Sequence, residues 1–155
     1  MIVGLDLGGY TGFAVLDEDG NRVFSTSWNL GKRTPKSSLH FHELLCEKFA
    51  EYYPSVVGYE WVGQLHRSRA AAVAWGSWEG ILWITCEQLG IKVEKVNVMA
   101  VKKLIGVPNA NKEDSEVYVF AKHKYITQDD NESDAIIIAE CTRLNMIMGK
   151  PKGKR

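Results

Sequence analysis

Asp6 is a carboxylate in a place where elementary energetics disfavours one: it sits within residues 2–7, an apolar run that predicts a buried strand. An ionised carboxylate taken out of water costs several kcal/mol unless something positive meets it, so Asp6 either caps the turn that follows or is a ligand. A second acid repeats the pattern. Alternate residues of a strand share a face, which aligns Ile2, Gly4 and Asp6 in the first run and Val56, Gly58 and Glu60 in "VVGYEW". Each strand thus presents an apolar residue, a glycine and then an acid near its C-terminal end, the glycine removing bulk where a helix or a substrate backbone could approach. A third acid, Asp134, lies in "DDNESDAIIIA", with Asp130 four residues and Asn131 three residues earlier on the same helical face. Helix capping and the helix dipole account for Asp129, Asp130 and Glu132, but not for Asp134, which is already inside the helix beside an apolar run.

Carboxylates gathered in one place repel each other and take up protons unless a cation sits among them. Mg²⁺ meets that requirement and Mn²⁺ can substitute: both are hard ions with oxygen ligands, and a pair about 3.5 to 4 Å apart holds the attacking water and the leaving oxygen of a phosphodiester. The chemistry predicted is metal-dependent phosphodiester hydrolysis, with Asp6 tolerated in its strand as a metal ligand.

The elements that must bring these residues together can be read along the chain. Residues 2–7, 12–16 and 22–28 form three short strands, and Asp19-Gly20 between the second and third is a hairpin signal. An amphipathic helix follows in 36–53, then a strand at 55–61. A long helix, residues 67–89, carries Ala72, Gly76 and Gly80 as a small-residue ridge that predicts a dimer surface, with packing on the sheet as the alternative. A strand at 91–97, a short helix or turn at 100–106, a helix opened by Asn111 and a last, largely apolar helix over 131–148 complete the order. Three hairpin strands followed by alternating helices and strands predict an α/β fold, a mixed sheet covered by helices. The chain has 155 residues, 45% of them hydrophobic, which fits one domain with its own core, taken as 1–148, with 149–155 as a basic flexible tail. No apolar run approaches membrane-spanning length and no secretory leader is recognisable, so a cytoplasmic protein is expected. Three scattered cysteines suggest neither disulfides nor a zinc site. The formal net charge is zero, so any polyanion partner must meet local basic clusters: "GKRTPK", Arg67 and Arg69, Lys102 and Lys103, Lys112 and the tail. For any single cluster solvated surface is the commoner explanation.

"GLDLGGYTGFAVL", "YEWV", "VKKLIGVPNANKEDS" and "DDNESDAIIIAE", in this order and at this spacing, resemble the RuvC-type Holliday-junction resolvases of the RNase H-like superfamily over nearly the whole chain. The resemblance implies a five-stranded mixed sheet (three antiparallel strands, then two parallel), a homodimer, and Mg²⁺-dependent cutting of four-way or branched DNA by paired nicks. It places Asp6 and Glu60 on the first two metal ligands and Asp134 on the last. Lys102 or Lys103 falls near a basic residue of catalysis or DNA contact, and Lys112 falls on a second such lysine. The chain departs from the pattern at one place: Asn131 stands where many members carry Asp, leaving Asp130, Asn131 or Glu132 as the fourth ligand. Arg67 and Arg69, shortly after Glu60, are candidate phosphate contacts. His40 and His42, two apart on a helix, share no face and are taken as surface or packing residues. Trp61, Trp75, Trp78 and Trp83 are assigned mostly to core or dimer packing. Three rivals remain: an RNase H-like nuclease acting on RNA or RNA/DNA hybrid, a sugar kinase sharing "GLDLGG", and a junction-binding protein without catalysis.

Overall fold

The computed structural model describes residues 1–61 and 68–145. Period-two alternation gives five strands: β1 (Ile2–Asp6), β2 (Tyr10–Leu16), β3 (Arg22–Asn29), β4 (Val56–Trp61) and β5 (Lys92–Asn97). They form one mixed sheet in the order β3-β2-β1-β4-β5, with β1, β2 and β3 antiparallel in sequence and β4 and β5 running parallel to β1. The β2–β3 hairpin turns where Asp19-Gly20 predicts it. Gly20 adopts a φ of +88°, and the Asp17 carboxylate accepts from the backbone and side-chain amides of Asn21 at 2.8 and 2.9 Å.

Alternation divides the sheet into two faces, each with its own core. Val3, Leu5, Phe13, Val15, Val57 and Tyr59 face α1 (Pro35–Tyr52) and α2 (Arg69–Leu89), which contribute Phe41, Leu45, Phe49, Trp78 and Leu82. The other face is built of smaller residues. It receives α5 (Asp130–Arg143), flanked by α3 (Val98–Ile105) and α4 (Lys112–His123), with Val96, Val101, Val119 and Ile136 to Ile138 in the second core.

The boundaries differ from the sequence reading in informative ways. α1 begins at Pro35, one residue earlier than expected, because Thr34 is its cap and Ser37 returns the hydrogen bond in a capping box. Phe41, Leu45 and Phe49 form its buried stripe, and Leu39 is 57% exposed. α5 ends at Arg143, followed by a turn at Leu144 and Asn145, so the helix is shorter among the described residues than the span to 148. Arg67 and the tail 149–155 lie outside the described residues. No helix is long and apolar enough to cross a membrane.

Candidate active site

β1 and β4 are parallel neighbours in register, Gly4 beside Gly58 and Leu5 beside Tyr59, which puts Asp6 and Glu60 side by side at the C-terminal ends of the two central strands. Both acids point to the face that carries α5. That helix lies very close to the sheet because glycines leave room for it. A Cβ on Gly4 would stand 2.2 Å from the Ala135 carbonyl oxygen and one on Gly58 1.7 Å from Thr142 Oγ1. Gly12 completes the bed: its Cβ would stand 1.8 Å from the Asn131 carbonyl oxygen. The glycines expected to admit a helix or a substrate therefore admit a helix, and close approach brings Asp134, on the first turns of α5, over Asp6 and Glu60.

The carboxylates perturb one another accordingly. Burial first, then repulsion from Asp134, Glu60, Asp130 and Asp129, holds Asp6 well above the ordinary carboxylate range. Glu60 is pushed up to about 7 by burial and by Asp134, with Lys102 pulling the other way. Asp134 is raised by burial and by Asp130, against a hydrogen bond from the buried Ser115 hydroxyl and the charge of Lys112. A cleft of about 270 Å³ opens over Glu60 and Asp134, lined also by Lys102, Lys112, Asn111 and Ser115. The donors are all hard oxygens, the set a divalent cation of the Mg²⁺ type prefers. They do not form a closed cage: among the described residues no three His, Cys, Asp or Glu side chains stand in metal-holding proximity.

The polar residues of "DDNESD" part company at this helix start. Asp129 is the N-cap, accepting from Glu132 N–H at 2.9 Å and from the Ser27 hydroxyl at 2.5 Å. Glu132 is fully buried away from the cleft, accepting from the Ser25 hydroxyl at 2.5 Å, the Tyr125 hydroxyl at 3.0 Å and Gln128 N–H at 2.6 Å. Both its oxygens are engaged by β3 and the α4–α5 loop, away from the cleft, which removes it from the ligand candidates. Asp130 couples to Asp6 and Asp134 and forms an ion pair with Lys112, which lines the cleft. Asn131 lies with its backbone on Gly12.

Of the other basic candidates, Lys103 is exposed beside Lys102 but does not line the cleft, and Arg69 is exposed on the first turn of α2, the helix of the opposite face. Ser115 was not singled out from sequence, although its place three residues after Lys112 puts both on one side of α4. A larger concavity, about 770 Å³, opens on the opposite face between α2 and β5, lined by Tyr59, Trp83, Ile84, Val93 and Lys95; it holds none of the acids of the cleft. His42 packs between Thr85 and Cys46, His40 is exposed, Trp78 is buried and Trp83 is 43% exposed.

No family model and no curated protein sequence matches this chain. Solved structures do. The Thermus thermophilus RuvC structure is 21% identical with a TM-score of 0.79, covering 95% of this chain and 98% of that one. The T. thermophilus RuvC in complex with a Holliday junction substrate is 19% identical at the same TM-score, covering 94% and 96%. A fowlpox virus resolvase in complex with Holliday junction DNA is 14% identical, with a TM-score of 0.60 over 94% of this chain and 99% of that one. The fold is the RNase H-like fold of RuvC, as the sequence resemblance implies.

Proposed function

We propose that this protein is a divalent-metal-dependent endonuclease that resolves four-way or otherwise branched DNA by paired nicks. One observation carries the reading: Asp6, Glu60 and Asp134, from three separate elements, converge as electrostatically coupled, mutually repelling carboxylates beside Lys102 and Lys112, at the strand ends of a fold whose solved neighbours include junction resolvases. Asp6, Glu60, Asp134 and Asp130 would hold the Mg²⁺ or Mn²⁺ ions, with the Asn131 amide as the alternative fourth donor. Bound divalent ions supply Lewis acidity, which lowers the pKa of a water nucleophile and neutralises charge on the phosphodiester. The protein's own groups do the rest. Ser115 orients the Asp134 carboxylate through its hydroxyl. Lys102 offsets charge beside Glu60. Lys112, exposed at the cleft mouth, exchanges Asp130 for a phosphate oxygen and stabilises the charge that builds there. Lys103, Arg67 and Arg69 are left as outlying phosphate contacts.

Paired nicks need two such sites, and α2 offers a surface for a second copy. Gly76 and Gly80 meet no heavy atom within 4 Å of an added Cβ among the described residues, so the ridge is not spent on the sheet, and Val73 and Ile84 beside it are 51% and 61% exposed.

The decisive experiment compares cleavage of a four-way DNA junction, linear duplex and RNA/DNA hybrid with Mg²⁺, Mn²⁺ or EDTA, on protein whose mass in solution has been measured. We expect junction cutting with either ion, none in EDTA, and a two-chain species; Asp6→Asn should abolish cutting while junction binding persists. Cutting retained by Asp6→Asn removes the site assignment. Preference for the hybrid selects the RNA-directed rival, and binding without cutting in Mn²⁺ selects the non-catalytic one.

A further inference from the structure

The acid cleft has one cationic wall, Lys102 and Lys112. At the same end of the sheet, beyond the opposite flank of the acids, stand three side chains that the cleft does not use: Tyr10, Lys32 and Arg33. Tyr10 begins β2 two residues before Gly12, and Gly12 pairs with Asp6, so Tyr10 projects from the same face as Asp6, one step further out. Its side chain is 56% exposed, and its hydroxyl accepts from Asn29 Nδ2 at 3.2 Å. The loop after β3 is fastened to the turn that follows Asp6: Leu30 and Gly31 N–H both donate to the Gly9 carbonyl, at 2.7 and 3.0 Å. Its far end is fastened as well, with the Ser37 hydroxyl donating to the Lys32 carbonyl at 2.9 Å and Thr34 capping α1. Lys32 and Arg33 are therefore exposed cations on a braced loop, and neither has an ion-pair partner among the described residues. Between positions 30 and 42 the chain carries Lys32, Arg33 and Lys36 and no acid. Cations ahead of a helix oppose its dipole, and the first turn of α1 has no acid to offset them, so the stability of α1 does not explain their presence.

We infer that Tyr10, Lys32 and Arg33 form the second wall of a nucleic-acid groove, the lysine and arginine taking backbone phosphates and the tyrosine ring stacking on a base next to the nucleotide being cut. This rests on the nuclease reading and extends it to the β3 side of the acids. β3 and β5 are the two edges of the sheet, four strand spacings or ~19 Å apart. At about 3.4 Å per nucleotide, that width corresponds to roughly five to six nucleotides, with the acids of β1 and β4 between the walls. An exposed aromatic between phosphate-binding cations is the arrangement that holds an unpaired or unstacked strand.

The test measures binding of the full-length protein to a fluorescent four-way DNA junction in EDTA, over a range of KCl concentrations. A Lys32→Ala/Arg33→Ala double variant should bind roughly tenfold more weakly at 0.1 M salt, with a log–log salt slope shallower by about 1.8, the loss of two phosphate contacts. Tyr10→Ala should lose roughly fivefold in affinity and the quenching of 2-aminopurine placed beside the crossover, whereas Tyr10→Phe should keep both, since the ring and not the hydroxyl stacks. All three variants change exposed side chains and should melt as the wild type does. A double variant with wild-type affinity and slope overturns this wall and leaves the nuclease reading standing. Unchanged quenching in Tyr10→Ala overturns the stacking role, and a wild-type protein that binds no junction in EDTA overturns this inference while cleavage with Mg²⁺ remains the separate test of the nuclease reading.

Discussion

At Asp130 two opposite pulls act on one carboxylate: repulsion from Asp6 and Asp134, and attraction to Lys112 at the cleft mouth. Asn131, where the RuvC-type pattern has its acid, instead lays its backbone against Gly12. If Asp130 supplies the missing charge from one position away, Asp130→Asn should weaken Mg²⁺ binding at least about tenfold, because even outer-shell changes at metal sites cost ~10–100-fold. Asn131→Ala should then cost about threefold or less, and titration calorimetry on the two variants checks the order; the reverse order assigns the amide. How much of this site was legible depended on the range of the interactions involved. Asp6, Glu60 and Asp134 stood out because each is an acid in a locally apolar setting, which is a property of neighbouring residues. The fate of Glu132 did not, because its partner Ser25 lies 107 positions away and nothing near Glu132 announces it. Glu140 escaped notice because its (i, i+3) pair with Arg143, at 3.1 Å, reads in sequence like an ordinary surface ion pair, while its full burial and its second counter-charge, Lys122 of α4 at 2.8 Å, come from the tertiary fold.

The element on which the site depends is α5, and its position is set by what β1, β2 and β4 lack. Gly4, Gly12 and Gly58 let the helix backbone down onto the sheet, and Ala135 and Ala139 keep its underside small. The apolar–glycine–acid rhythm made Gly4 and Gly58 readable in advance. Gly12 was not singled out, since its strand has no acid on the same face to mark that face as special. Gly4→Ala is the sharpest test, because its methyl group would meet the backbone at Ala135 O and Ala139 N (2.2 and 2.4 Å), which cannot yield as a side chain would. We expect a loss of about 3 kcal/mol, the upper end of ordinary overpacking, or a fall in Tm of ~6–12 °C for a chain of this size. Activity should fall further than stability, since lifting α5 separates Asp134 from Asp6 and Glu60.

For the whole molecule, three repelling carboxylates under one helix make stability depend on pH in an unusual direction. Most folded carboxylates are held below their unfolded pKa and stabilise the fold as pH rises. Here Asp6 faces Asp134, Glu60, Asp130 and Asp129; Glu60 faces Asp134 and Lys102; Asp134 faces Asp130, Glu116 and Lys112; and the balance raises all three acids. A group whose folded pKa lies above its unfolded value stabilises the fold fully below the unfolded pKa, and that contribution is lost as pH climbs through the folded one. For Glu60 the loss runs from the mid-4s to about 7, on the order of 3 kcal/mol. His123 works the other way. Burial holds its pKa below the ordinary value, so its contribution is present above about pH 6.5 and is lost only as pH falls. Between pH 6.5 and 8, therefore, the histidine contribution is nearly constant, and the slope is set by the acids together with, toward pH 8, the buried Cys86 and Cys141 thiols, which burial pushes up to about 12 and which act in the same direction. In EDTA the Tm should fall across this window; saturating Mg²⁺ should raise it and flatten the slope, since the ion competes with protons for the same oxygens. Glu60→Gln should flatten the slope in EDTA and lose most of the Mg²⁺ gain. A wild-type Tm in EDTA that holds level or climbs from pH 6.5 to 8 would mean that the three acids do not meet as buried charges, and the metal site would lose its physical basis.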